Sequence, residues 1–215
     1  MPRSLEPLTD AFEPRPGPLL LVIADGVGLA PPGPANAVTQ APTPNIDALV
    51  SSDLSTSLAA HGVAVGLPTD DDMGNSEVGH NALGAGRVFA QGARLVNEAI
   101  EAGSIFESEV WGAVVERART HTLHLIGLHS DGNVHSHIAH LYALMRAGAA
   151  AGADWIRIHI LLEGRDTPPR SALEYIARTE SVDAVIAHDH GTDIRIGSGG
   201  GRLFISMDRY EADWK

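Results

Sequence analysis

Residues 122–162, TLHLIGLHSDGNVHSHIAHLYALMRAGAAAGADWIRIHILL, hold two apolar runs either side of a long alanine-rich stretch, and that order decides the fold. Residues 122–128 are short and rich in leucine and isoleucine, as a strand requires. Residues 138–151 run long enough for a helix and stop ahead of Gly152, a common helix terminator. Residues 155–162 return to the strand pattern, a helix over about residues 171–187 follows, and residues 192–196 make a third strand. Alternation of this kind implies a parallel sheet with helices on both faces. The expected class is α/β, with parallel sheets flanked by helices.

Toward the N-terminus the same logic places a strand at residues 19–24, LLLVIA, a continuous apolar run bounded by Pro18 and Gly26. It ends on Asp25, and in open α/β sheets ligands gather at the carboxyl ends of strands. A turn-capping role for Asp25 is the plainer alternative. Residues 31–44 form a proline-rich loop, after which Thr43 caps a helix with Pro44 at its first position and Ile46, Leu49 and Val50 on its apolar face. Residues 55–60 and 63–67 read as short strands. Residues 92–102 read as a helix closed by Gly103, with Leu95, Ala99 and Ile100 inward, and Ser108 caps the next one. Residues 1–17, with four prolines and mixed charge, read as a flexible lead-in, and glycines cluster at the expected domain boundary, residues 84–92.

Composition narrows the function classes. The chain has 215 residues, a formal net charge of −12 and no cysteine, which excludes disulfides and thiol chemistry and argues against general nucleic-acid binding. No apolar run approaches the roughly 20 residues of a membrane helix, and no signal-peptide core precedes residue 17, so the expected location is cytoplasmic. A local arginine cluster can still hold a small anion, since charges beyond about 8–10 Å are screened.

Four stretches carry chemistry. DDDMGNSEVGH, residues 70–80, sets Ser76 before a glycine-rich run that reads as a short or irregular helix; a serine there is either an N-cap or a nucleophile in the positive field of a helix start. HSDGNVHSHIAH, residues 129–140, opens a helix; His137 and His140 allow a zinc reading, while its glycine turn better fits an anion at the helix N-terminus. EGRDTPPR, residues 163–170, offers Arg165 to a carboxylate or phosphate while Asp166 accepts a hydroxyl proton; a bracing Arg–Asp pair is the plain alternative. GSGGGRLFISMDRYEADW, residues 197–214, adds Arg202 behind four glycines and then Arg209. Three strand-end loops thus offer His135, Arg165, Arg202 and Arg209 to one anion.

These blocks, together with LLLVIADGVG and PANAV, resemble those of the cofactor-independent phosphoglycerate mutases, relatives of alkaline phosphatase, in family order from about residue 19 to residue 214. The resemblance implies an incomplete phosphatase-type domain over residues 18–90, followed by part of a second α/β domain over residues 91–215 that grips phosphoglycerate. It implies that Ser76 accepts phosphate, that Asp25 and Ser76 are two ligands of a two-manganese site, and that His135, Arg165, Asp166, Arg202 and Arg209 hold the substrate. No 2,3-bisphosphoglycerate is implied. The reaction would interconvert 3-phosphoglycerate and 2-phosphoglycerate through phosphoserine, as in glycolysis. Glu163 stands where aspartate is usual, and Asn133 replaces a usual glycine. Family chains are longer and bring most metal ligands in their second half, so a complementary C-terminal half is the expected partner. Two other readings remain: a non-catalytic module that binds phosphoglycerate-like anions, and a metal-dependent phosphatase of the same superfamily.

Overall fold

The computed structural model describes residues 16–205. Contacts divide the chain into two compact units, Met1–Thr56 and Ser57–Lys215, each taken here by itself.

In the first unit, two short helices stand among loops: α1 (Ala37–Gln40), capped by the Asn36 side chain, and α2 (Pro44–Val50), with Thr43 at its N-cap and Pro44 at its first position. Thr43 caps without a side-chain bond to the backbone and donates to the Asp47 carboxylate at 3.0 Å instead. The strand expected at residues 19–24 does not form, and Leu19 is 93% exposed. A strand's hydrogen bonds come from its neighbours, and among the described residues of this unit there is no strand to pair with. The apolar face of α2 is likewise open, with Ile46, Leu49 and Val50 exposed.

In the second unit, too, the expected short strands do not form. Residues 55–60 form no strand, and residues 63–67 are mostly a 3-10 turn, Gly62–Val65. Left-handed Gly66 (φ 87°) ends this turn, and a Cβ there would meet the Phe89 carbonyl oxygen at 1.7 Å. The helices that follow are α3 (Ser76–Ala85), α4 (Gly92–Glu101) and α5 (Glu109–Ala118), the last capped by Ser108 Oγ on the Trp111 amide at 3.2 Å. Ala99 and Ile100 of α4 are half-buried, while Leu95 is exposed.

Then comes the alternation: β1 (Leu123–His129), α6 (Ile138–Ala150), β2 (Trp155–Leu162), α7 (Ala172–His190), β3 (Asp193–Gly201) and a last short helix, α8 (Arg202–Ile205). The three strands are parallel in the order β1-β2-β3, from Leu123 opposite Ile156 to Leu162 opposite Gly201, with a register shift between Ile158 and His159. The fold is thus α/β with a parallel sheet flanked by helices.

Burial along β2 alternates with the strand period, which puts the core on one face of the sheet. Ile156, Ile158 and Ile160 pack there with Ala118 of α5, Met145 and Ala149 of α6, and Tyr175 and Ile186 of α7. The opposite face carries exposed Ile126 and the stacked rings of His124 and His159. Helices on both faces are therefore not realised among the described residues. β3 also runs further than residues 192–196: Gly197 and residues 199–201 belong to the strand rather than a loop, with Gly199, Gly200 and Gly201 paired to β2 and Gly197 skipped at the register shift.

Candidate functional site

Ser76 is the first residue of α3, and the cap before it is Asn75, whose Oδ1 accepts the Val78 amide at 2.9 Å. The N-cap reading of Ser76 is overturned. The glycine-rich run is also a regular ten-residue helix, because Asn75 caps it and left-handed Gly86 closes it. Ser76 therefore sits where unpaired N–H groups and the helix dipole favour an anion. His80, one turn on, brings its Nδ1 to 2.7 Å from the Ser76 carbonyl oxygen and 3.2 Å from Ser76 Oγ. A carbonyl oxygen only accepts, so Nδ1 carries a proton and is no base for the hydroxyl.

The opposing wall is built at the carboxyl ends of β1, β2 and β3. His135 lies on the loop between β1 and α6, with Nε2 at 3.9 Å from Asp166 Oδ2. Gly132 of the same loop packs so closely on the Asp166 backbone that a Cβ would meet its carbonyl oxygen at 2.3 Å. Arg202, at the end of β3, directs Nη1 to Asp166 Oδ2 at 2.8 Å and to Glu163 Oε2 at 2.7 Å. Burial works against the charge on Arg202, but the bond to Asp166 and the nearby Glu163 carboxylate outweigh it and raise its pKa. Arg202 thus braces the loop after β2, the bracing role weighed for Arg165 and Asp166, while Arg165 is exposed at the cleft.

Five of the sequence-predicted residues share one cleft of about 580 Å³: Ser76, His135, Arg165, Asp166 and Arg202. Asp25 belongs to the other unit, where its Oδ1 accepts the Gly26 amide at 3.1 Å, and Arg209 lies outside the described residues. His137 caps α6 with Nδ1 on the Ala139 amide, and His140 is bound to the Asn97 side chain, so neither ring is arranged as a zinc ligand. His188, at the end of α7, is surface-exposed. Among the described residues no group of three or more histidine or acidic side chains could hold a metal ion. Asp25 and Ser76 by themselves fall well short of the roughly six donors a hard divalent ion takes, so the donors described here do not make a metal centre.

What sequence reasoning missed is the pair that joins the two walls. Asp72 Oδ1 accepts Asn133 Nδ2 at 2.6 Å across 61 residues of sequence. The one signal was Asn133 itself, a departure from glycine at a left-handed position (φ 53°).

A helix N-terminus facing an arginine- and histidine-bearing wall at strand ends makes this an α/β protein with a cleft whose chemistry suits an anion. The chain belongs to the bisphosphoglycerate-independent phosphoglycerate mutase family: residues 96–215 match the family model described as "BPG-independent PGAM N-terminus". It is 51% identical over 201 residues to a probable 2,3-bisphosphoglycerate-independent phosphoglycerate mutase of Leptospira interrogans, covering 91% of this chain and 36% of the relative. The Arabidopsis thaliana enzyme 1 of that name is 48% identical, with 94% and 36% covered. A solved structure of Leishmania mexicana phosphoglycerate mutase at low cobalt concentration superposes with a TM-score of 0.81 at 47% identity, covering 88% of this chain and 35% of that one. The chain thus spans about a third of the length of these relatives. No described helix is long and apolar enough to cross a membrane.

Proposed function

We propose that this chain is the N-terminal portion of a cytoplasmic isomerase that interconverts 3-phosphoglycerate and 2-phosphoglycerate in glycolysis, without 2,3-bisphosphoglycerate. The observation that carries the reading is the single cleft holding Ser76 opposite His135, Arg165, Asp166 and Arg202. Ser76 Oγ attacks the phosphorus as the bond to the glycerate 3-oxygen breaks, and the proton lost by the serine hydroxyl ends on that oxygen, leaving phosphoserine and glycerate. The glycerate turns, its 2-hydroxyl attacks the same phosphorus, the bond to Ser76 breaks, and the proton taken from the 2-hydroxyl is passed on to Ser76 Oγ, which restores the serine. Asp166, held in place by Arg202, takes the 2-hydroxyl proton, while Arg165, with Arg209, grips the carboxylate. Such gripping retains glycerate between the two transfers, which a simple hydrolase does not need.

The phosphatase-type part spans residues 18–90 and the substrate-gripping part starts at residue 91, a division that the start of the family match at residue 96 supports. A divalent metal pair, manganese by family resemblance, would take Ser76 among its ligands, with most of the others supplied by a complementary C-terminal half. The shortage of donors here favours one further statement: alone, this chain binds phosphoglycerate-like anions without turning them over.

The test pairs the chain with a polypeptide supplying the remaining length of its relatives. Interconversion should appear only in the pair, and Ser76→Ala in the pair should abolish transfer while calorimetry still shows 3-phosphoglycerate binding. A Ser76→Ala pair that still interconverts the two phosphoglycerates would overturn the assignment.

A further inference from the structure

Asn133 stands at a left-handed backbone position (φ 53°), which glycine and asparagine both adopt. What asparagine adds over glycine at this position is its side-chain amide. Nδ2 donates to Asp72 Oδ1 at 2.6 Å, while the other oxygen of Asp72 accepts the Thr69 amide at 2.7 Å and the Thr69 hydroxyl at 2.8 Å. The Asp72 carbonyl accepts the Gly62 amide at 3.1 Å, and Asp72 is buried. Four residues on from this hub lies Ser76; two residues on from Asn133 lies His135. Gly132, on the other side of Asn133, is packed against the Asp166 backbone.

We propose that Asp72 and Asn133 form a latch, a positioning pair that sets the spacing between the Ser76 helix terminus and the His135–Asp166 wall, and so favours a ligand with an anionic group at each end. This rests on the phosphoglycerate reading of the cleft. Neither residue touches the ligand; each acts through the loop it holds. Hydrogen bonds to a carboxylate are stronger than neutral ones, and here one such bond ties together two loops that are distant in sequence. Burial works against the Asp72 charge, yet the bonds from Asn133 and Thr69 hold its pKa below the ordinary carboxylate range.

The experiment uses the full 215-residue chain. Asn133→Gly removes the bond and leaves the left-handed backbone unstrained, whereas Asn133→Asp sets two carboxylates against each other. The exchange of both, Asp72→Asn with Asn133→Asp, restores a charge-assisted bond with its ends reversed. The amide at position 72 keeps an oxygen for Thr69 and turns its N–H toward position 133. Calorimetry compares 3-phosphoglycerate, which reaches both walls, with glycerate, which needs only one. Asn133→Gly should weaken 3-phosphoglycerate about tenfold and leave glycerate unchanged, Asn133→Asp should weaken it further, and the exchange should recover it.

The chain has no cysteine, so Leu83→Cys and Pro169→Cys provide two spin-label sites whose separation reports the spacing directly. Broader distances in both single variants, narrowed again in the exchange, support the latch. An unchanged ratio of 3-phosphoglycerate to glycerate affinity in the Asn133 variants overturns it. If the unaltered chain binds neither ligand, the phosphoglycerate reading fails by itself. The label distances then decide the latch, and identical distances in all four proteins overturn it.

Discussion

Residues 19–24 (LLLVIA) and residues 155–162 (WIRIHILL) both read as strands in sequence, the first apolar throughout and the second interrupted by Arg157 and His159, and each ends just before a carboxylate and a glycine, Asp25-Gly26 in one case and Glu163-Gly164 in the other. In the structure they part completely. Residues 155–162 are the central strand of the sheet, with Ile156 fully buried and Ile158 only 1% exposed. Residues 19–24 pair with nothing among the described residues, and Leu20 is 84% exposed. Burial rather than composition makes the strand. A run becomes one only when parallel neighbours supply its hydrogen bonds and a helix layer covers its side chains. The difference extends to the carboxylates: Glu163 is buried against Arg202, while Asp25 accepts its own neighbour's amide in an exposed turn.

The largest expected effect breaks the anchored end of this comparison. Arg202→Ala leaves the buried carboxylates of Glu163 and Asp166 without their cation and should cost about 3–5 kcal/mol of stability, read from urea midpoints. A loss under about 1 kcal/mol would mean that water reaches these carboxylates as freely as at an exposed pair. Next comes the strand itself: Ile158→Ala should cost about 2–5 kcal/mol through the cavity it opens. A loss too small to resolve by denaturation would contradict the packing around β2.

A subtler test belongs to the helix layer alone. Burial and the charge of Glu180 push the pKa of Asp183 from 3.8 to about 6. Between these values the folded state binds more protons than the unfolded one, so stability falls as pH rises from about 4 through about 6. Asp183→Asn should flatten that slope and melt higher than the parent at pH 7; an unaltered slope would place the group in water.

The smallest effect lies in the exposed run. Leu20→Ala should change stability by less than about 0.5 kcal/mol, and the amides of residues 20–23 should exchange hydrogen far faster than those of residues 156–161. Adding a polypeptide with the remaining length of the relatives should slow exchange at residues 20–23. Strong protection there in the chain alone would mean that the run is already paired, and the contrast would vanish.

The sequence by itself determined the α/β alternation of residues 122–196, the caps at Ser108 and at Thr43, and the residue types that gather in the cleft. Helix periodicity, capping chemistry and strand length are local properties, legible in a single stretch. Ser76 was legible as chemically placed, but the cap fell to Asn75, which keeps extended backbone (φ −141°, ψ 176°) and accepts the Val78 amide. Only the tertiary structure decided which apolar run became a strand, that β3 would take in residues 197–201, and that Arg202 would brace Asp166. It also joined Asp72 to Asn133 across 61 residues. Strand pairing, buried ion pairs and bonds between loops all depend on partners far away in sequence, and no local pattern records where those partners will be.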